Sequence, residues 1–310
     1  MALGSNQVTT TIAGNFIPEL WSDEVIGAYK SNLVVANLVT KLNHKGKKGD
    51  TIHIPVPSRG SASAKAANTQ VTLSAATNTV VDVSINKHYE YSKLIEDIAE
   101  VQALASMRKF YTDDAGYALA KQVDSDLVDL GEGFQSGATT DGSYTTAYIG
   151  SGTTLWSGTN EADLDDDGLR ALILVLDNAD VPMDNRSLIV PPVCANDLLG
   201  INRFTEQAYI GSGDALKTGK IGQIYGVDVF ISTNCDTAAS GGGTGSSGGG
   251  TERVGILMHK DALVLAEQVG VRSQTQYKQE YLGDLFTSDT IYGVKELRND
   301  AGVCFVVPAS

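Results

Sequence analysis

The residues best placed to do chemistry in this chain are the carboxylates of Asp163-Leu164-Asp165-Asp166-Asp167-Gly168. Oxygen donors at alternate positions before a glycine match the first half of a calcium-binding loop. The twelfth position of that pattern should be a bidentate Glu and is Leu174, and position 8, usually apolar, is Arg170. The same acids suit the start of a helix, where carboxylates favour the positive end of the dipole, and that is the reading adopted. Asp214 to Ile221 resembles a phosphate-binding loop only at Gly219-Lys220. The first glycine is replaced by Asp214 and the magnesium-holding Ser/Thr by Ile221, so phosphate would meet a carboxylate. Gly245-Ser246-Ser247-Gly248-Gly249 fits the spelling of a nucleophile elbow, but no strand precedes it and no helix follows. The four histidines (His44, His53, His88, His259) have no ligand spacing. His53 and His88 are expected to face each other across a hairpin. Met107, Phe110, Tyr111 and Tyr117 read as packing residues. Nothing here supports catalysis, and no cofactor or metal is implied.

Composition narrows the classes. The chain has 310 residues, 42% apolar and 19% charged, which fits a folded protein of one large domain or two modest ones. Its 37 acidic residues exceed its 23 basic ones, for a net charge of −14. That argues against wrapping nucleic acid, which needs concentrated Lys and Arg. It suits a wall that nucleic acid does not stick to. The three cysteines, Cys194, Cys235 and Cys304, are far apart and suggest no disulfide framework, so folding in a reducing cytoplasm is expected. The N-terminus shows no secretion signal, and no apolar run approaches the roughly 18 residues of a membrane span.

The elements that must position any function begin with an arm over residues 1–18 and a helix capped by Ser22, with Asp23 and Glu24 in its first turn. A turn containing Lys45, Lys47 and Lys48 follows. Three lysines there read as a solvated loop or as a salt-bridging contact to an acidic neighbour. Next comes a hairpin. Ile52, Ile54 and Val56 share one face of its first strand, and Val81, Val83 and Ile85 one face of its second. Between them lies a Ser/Ala/Thr-rich tip with Arg59 and Lys65. An isolated hairpin is marginal in water, and no nearby segment obviously receives this apolar stripe, so a partner subunit is expected to. Pro55 and Pro57 remove donors on one side of the first strand and leave that edge unpaired.

Leu94 to Leu130 contains no proline and only Gly116 among glycines, which predicts a helix roughly 55 Å long, begun by Ser92 and ended by Gly131 or Gly133. Its polar face is acidic, with Asp113, Asp114, Asp124, Asp126 and Asp129 among its residues. Residues 133–160 read as a surface excursion. A helix is expected over 164–179, a buried strand from Ser187, a short helix over 195–199 and a strand within 222–232. Residues 241–250, seven glycines in ten, read as a flexible loop. A strand over 253–258, a helical turn or two over 261–268, and a terminal hairpin of 290–297 with 303–307 complete the pattern.

This order of parts resembles the major capsid proteins of tailed bacteriophages, which share the HK97 fold. Phe16-Ile-Pro-Glu-Leu-Trp resembles the start of their N-terminal arm, and Gly49–Asn86 their extended loop (E-loop). Leu94–Leu130 resembles the spine helix of the peripheral (P) domain. Ser187–Leu199 and Gly222–Ser232 resemble parts of the axial (A) domain, and Tyr292–Leu297 with Gly302–Val307 the closing strands of the P domain. The resemblance covers nearly the whole chain, and its weight lies in order and spacing. Residues 133–160 and 236–251 fall outside it as insertions.

The resemblance implies an α+β fold divided into an N-arm (1–43), E-loop hairpin (44–90), P-domain spine and inserted loop (91–160), A domain (161–268, with the Gly-rich loop 236–251) and P-domain return strands (269–310). It implies a non-enzymatic subunit that self-assembles as hexamers and pentamers into an icosahedral head enclosing DNA. Scaffolding, portal and decoration proteins are the implied partners, with no membrane. The location is the virion, after assembly in the host bacterial cytoplasm. Candidate intersubunit contacts are Ile52, Ile54, Val56, Arg59, Lys65, Val81, Val83, Ile85, Lys47 and Lys48. Some relatives crosslink E-loop lysines to asparagines of neighbours; no partner for Lys65 is assignable. A tail-tube or decoration subunit is the alternative, weighed against by the long helix. A secreted carbohydrate-binding protein is a further one, weighed against by the missing signal.

Overall fold

The computed structural model describes residues 34–43, 49–57, 60, 62–71, 73, 78–97, 107–134, 147–156, 162–201, 222–235, 237–238 and 252–308. The expected helix at 22, the tract 241–250, the phosphate-loop lookalike and the elbow lookalike lie outside them.

Two sheets share one long helix. The larger sheet has the order β5-β13-β10-β6-β8-β7, with β9 also on β10. These strands are β5 (Tyr148–Ile149), β6 (Arg186–Val190), β7 (Gln223–Ile224), β8 (Val227–Ile231), β9 (Thr237–Ala238), β10 (Glu252–His259) and β13 (Gly302–Val307). Period-two alternation decides which core each side chain joins. Val303, Phe305 and Val307 enter the main core, while Cys304 and Val306 enter a second one with Ala147, Ile149 and Trp156. Both faces of β13 are therefore buried. The stretch 147–156, expected as a surface excursion, instead covers this second face.

Two helices close the main core. In α3 (Asp166–Asn178), Leu169, Leu172 and Leu176 recur at helical spacing and are fully buried. Asp165 is its N-cap: a carboxylate oxygen accepts the Gly168 N–H at 2.6 Å. Asp166 and Asp167 occupy the first turn and pair with Arg170. The calcium-like motif is thus a helix start, as read from sequence. In α4 (Pro192–Gly200) a proline opens the helix, and Cys194, Ala195 and Leu198 face inward. Buried Arg186 donates to the carbonyls of Val181 and Pro182 just past α3 and pairs with Asp177.

The smaller sheet has the order β1-β11-β12-β4, formed by β1 (Thr40–Asn43), β11 (Leu263–Lys278), β12 (Gly283–Glu296) and β4 (Lys87–Glu96). Helix α2 (Met107–Glu132) packs against this sheet and also against β10 and β13. Its 26 residues span roughly 39 Å.

Three sequence expectations are corrected here. Leu94 and Ser92 lie in β4, not in the long helix, which is shorter than the periodicity suggested. In β4, Tyr89, Tyr91 and Ile95 alternate inward, and ten residues of β12 pair with it. Residues 263–268 begin β11 instead of a helical turn, because Val264–Glu267 is paired by both β1 and β12. The terminal hairpin does not form either: β12 and β13 lie in different sheets, joined by a 3-10 turn at Asn299–Ala301.

Candidate assembly interface

The projecting hairpin consists of β2 (Thr51–Pro57) and β3 (Asn78–Ser84), paired antiparallel from Thr51↔Ser84 to Pro57↔Asn78. The Ile85 N–H donates to the Asp50 carbonyl at 2.7 Å, one step before that ladder. Opposed residues in an antiparallel pair alternate between exchanging hydrogen bonds and not doing so. Ile52↔Val83, Ile54↔Val81 and Val56↔Thr79 are therefore the bonded pairs. Backbone groups of 51, 53, 55 and 57 point away from β3, and Pro55 and Pro57 stand there. Among the described residues no strand pairs with that edge, as expected from the prolines.

The base of the hairpin finds its surface within its own chain, where a partner subunit was expected to supply one. Val83 and Ile85 are buried against Val264 and Ala266, with Leu42, Ile52, Ile54 and Ile291 packed around them. Close approach is possible because β12 carries Gly293 here. A Cβ on Gly293 would lie 2.3 Å from the Ser84 carbonyl oxygen and 3.0 Å from the Ile85 Cα. Opposite it in β11 stands Ala266, another small residue.

Beyond this seat the arm is bare. Val56 is 37% exposed, Val80 55%, Val71 62% and Leu73 92%. Val81 is half-buried and Lys65 is exposed. Of the candidate contact residues, then, Ile52, Ile54, Val83 and Ile85 are brought together at the seat; Val81 stands half-buried opposite Ile54, and Val56 and Lys65 are exposed. Arg59, Lys47 and Lys48 lie outside the described residues. The two histidines do not face each other. His53 Nδ1 lies 2.5 Å from Asp82, its opposite number in register. His88 Nε2 lies 3.1 Å from Asp289. Arg272 donates to both oxygens of Asp289 at 2.7 Å, and this hydrogen bonding holds that carboxyl down at about 2 against the opposing effect of burial, with His88 assisting.

Below the seat, α2 carries two carboxylates that sequence reasoning placed on a solvated acidic face. Both are buried: Asp124 fully, Asp126 to 4% exposure. Asp124 accepts the N–H groups of Val35 and Ala36 at the start of α1 (Val35–Leu38) and the side-chain amide of Asn234. Asp126 accepts the Tyr292 hydroxyl at 2.6 Å and the Lys87 ammonium at 2.9 Å. Further along, Tyr91 of β4 donates to Asp114 at 2.9 Å. Burial first, and this bond second, push the Tyr91 hydroxyl up to about 12. The available signal was position, since Asp124 and Asp126 adjoin the buried Leu127 and Val128.

Among the described residues, no group of three or more His, Cys, Asp or Glu side chains is placed to hold a metal ion. No helix among them is long and apolar enough to cross a membrane.

A two-stranded arm seated on a small sheet, a long helix beneath it and a central larger sheet describe a building part. A family model described as phage capsid protein matches residues 35–293. This chain belongs to the phage capsid protein family. The matched span holds the hairpin, the long helix and both core helices. A comparison with curated proteins finds no match. Among solved structures, one from Mycobacterium phage Che8 is similar at 25% identity and a TM-score of 0.75, covering 94% of this chain and 97% of that one. The capsid of cyanophage P-SCSP1u is similar at 18% identity and 0.74, over 99% and 97%. The mature capsid of bacteriophage PhiM1 follows at 15% identity and 0.71, over 94% and 92%. The fold of this capsid protein is thus the α+β, HK97-like one that the order of parts resembled.

Proposed function

We propose that this capsid protein is a non-enzymatic shell subunit whose copies form the hexamers and pentamers of an icosahedral head around DNA. The observation that carries this reading is the division of labour along the arm. Its base is held by the chain's own sheet, so the arm has a fixed direction, while its outer part presents Val56, Val80 and Val71 to solvent. A lone subunit gains nothing from an exposed apolar arm, whereas a neighbour covering it removes that surface from water.

In this reading the N-arm comprises residues 1–43, the E-loop 44–90, the P domain 91–160 with 269–310, and the A domain 161–268. Val56, Val81 and Lys65 reach an adjacent subunit, and Arg59, Lys47 and Lys48 join them as polar contacts. Many modest interfaces then hold each subunit at several places at once. The charge of −14 helps keep packaged DNA from adhering to the wall. Assembly takes place in the host bacterial cytoplasm, with scaffolding, portal and decoration proteins as further partners. Electron microscopy of the purified chain tests the reading. Closed polyhedral particles are expected, and tubes or isolated trimers would favour a tail-tube or decoration subunit instead.

A further inference from the structure

Among the described residues, the chain steps from one sheet to the other through two short links. Residues 260–262 carry β10 of the larger sheet into β11 of the smaller, and residues 297–301 carry β12 back into β13. The links run side by side, because the N–H groups of Leu297 and Arg298 both donate to the Ala262 carbonyl, at 2.8 and 3.2 Å. The first link is a tight turn, closed by the Ala262 N–H on the His259 carbonyl at 2.9 Å. Both sheets are tied to it. The Lys260 N–H donates to the Asn185 carbonyl just ahead of β6, and the Thr40 N–H of β1 donates to the Lys260 carbonyl.

One titratable side chain closes this turn from within. His259 is 7% exposed, and its Nδ1 accepts the Asp261 N–H at 3.2 Å, as the side-chain oxygen of an Asx turn does. A ring nitrogen accepts a hydrogen bond only while it carries no proton, so the turn needs the neutral ring with its proton on Nε2. Across the β10–β6 ladder His259 stands opposite Arg186, a buried guanidinium paired with Asp177. The other charges on the elements that meet here are Lys260 and Asp261 in the turn, Lys41 on β1, and Glu296, Arg298 and Asp300 along the second link. A proton on Nδ1 therefore does two things at once. It removes the acceptor that holds the Asp261 N–H, and it sets a second cation opposite Arg186. Asp261 Oδ2 lies 3.8 Å from Nδ1 on an exposed side chain, while its other oxygen accepts the Thr40 hydroxyl at 2.8 Å. The new charge draws that carboxylate away from β1.

We propose that His259 is a pH-operated latch on the joint between the two sheets. Neutral, it closes the 259–262 turn. Protonated, it releases the turn, and the sheets are then joined through the second link and through α2, which packs on both. Imidazole is the side chain whose charge changes between about pH 5 and 8, which sets the range to search. The latch is a property of the single chain and stands whether or not its copies form shells.

His259→Asn separates the charge from the acceptor. Its side-chain oxygen can take the Asp261 N–H in an Asx turn, and it stays uncharged at every pH. The measurement is hydrogen exchange in the full chain at about pH 7.5 and about pH 5.5, corrected for the intrinsic exchange rate. Sedimentation checks that the assembly state is the same at both. In the parent, the Asp261 and Ala262 amides are expected to lose protection roughly tenfold on acidification, while Ile256 and Val306 in the larger sheet keep theirs. His259→Asn is expected to show no such loss. Unchanged protection in the parent would overturn the proposal. Equal loss in both proteins would do the same, since the other histidines are common to both. Imidazole nitrogen NMR shifts of the parent cover the case in which the variant does not fold. They should show Nδ1 without a proton at about pH 7.5, and its protonation in step with the loss of protection at Asp261 and Ala262. A proton on Nδ1 at that pH, or titration of the ring without that loss, would overturn the latch.

Discussion

The Tyr292 hydroxyl on β12 donates to Asp126 on the long helix at 2.6 Å, and the ammonium of Lys87 on β4 reaches the same oxygen at 2.9 Å. One carboxylate thereby fixes the helix against two neighbouring strands of the small sheet. It is almost fully buried, and it replaces the water lost by a phenol and an ammonium. Removing it leaves both groups without that partner. Asp126→Ala is therefore expected to lower the unfolding free energy by about 3 kcal/mol. Tyr292→Phe, which removes one neutral donor, should cost about 1–2 kcal/mol. Urea unfolding followed by circular dichroism gives both values, and the order of the two variants is the diagnostic point.

Gly293 is where the arm meets its seat. A side chain there would strike the Ser84 carbonyl and the Ile85 Cα, so Gly293→Val must lift the hairpin or displace β12. Overpacking of this kind costs about 1–3 kcal/mol. Limited proteolysis should show faster cleavage of the segment 49–57 in this variant, ahead of any cleavage in the larger sheet. Equal cleavage in both proteins would mean that the arm is held elsewhere.

Alkaline pH should loosen the same helix–sheet contact. Burial and a carboxylate partner raise the Tyr91 hydroxyl to about 12, and the same causes raise Tyr292 further. The folded state keeps these protons while the unfolded chain releases them near pH 10. The stability they contribute is complete below about pH 10 and falls as pH rises toward 12. Urea midpoints measured across that range should drop in the unsubstituted protein, and drop less in the double variant Tyr91→Phe, Tyr292→Phe.

The three cysteines are all free and buried. Burial pushes the thiols of Cys194 and Cys304 well above their ordinary range. A thiol reagent acts on the thiolate, so these groups should stay unmodified in the folded protein and react together on unfolding. Titration with a chromogenic disulfide, before and after adding denaturant, checks this.

Much of the fold was legible because local pattern and final environment agree. Leu169, Leu172 and Leu176 sit at helical spacing on a helix that meets a core, and Ile52, Ile54 and Val83 alternate on a hairpin with one buried face. The misreadings arose where partners distant in sequence decide. Leu94 holds helical spacing with residues after it, but ten residues of β12, about two hundred positions away, make its segment a strand. Residues 299–302 spell a turn, yet a turn does not reveal whether the next strand returns to the same sheet or enters another. Asp124 and Asp126 looked like surface acids because a buried carboxylate is recognisable only from its partners. Those partners, Val35, Asn234, Lys87 and Tyr292, come from across the chain. The arm was read correctly as an arm, while its seat was missed because Gly293 and Ala266 signal through absence of bulk.

The most direct test of the account is the assembly of a chain lacking residues 58–70, which lie beyond the seat formed by Ile52, Ile54, Val83 and Ile85. Electron microscopy and sedimentation of the two purified proteins give the answer. The unsubstituted chain should yield closed shells. The shortened one should unfold as cooperatively as the parent, because its seat and both sheets are intact, but remain unassembled. Normal shells from the shortened chain would contradict the role assigned to the arm.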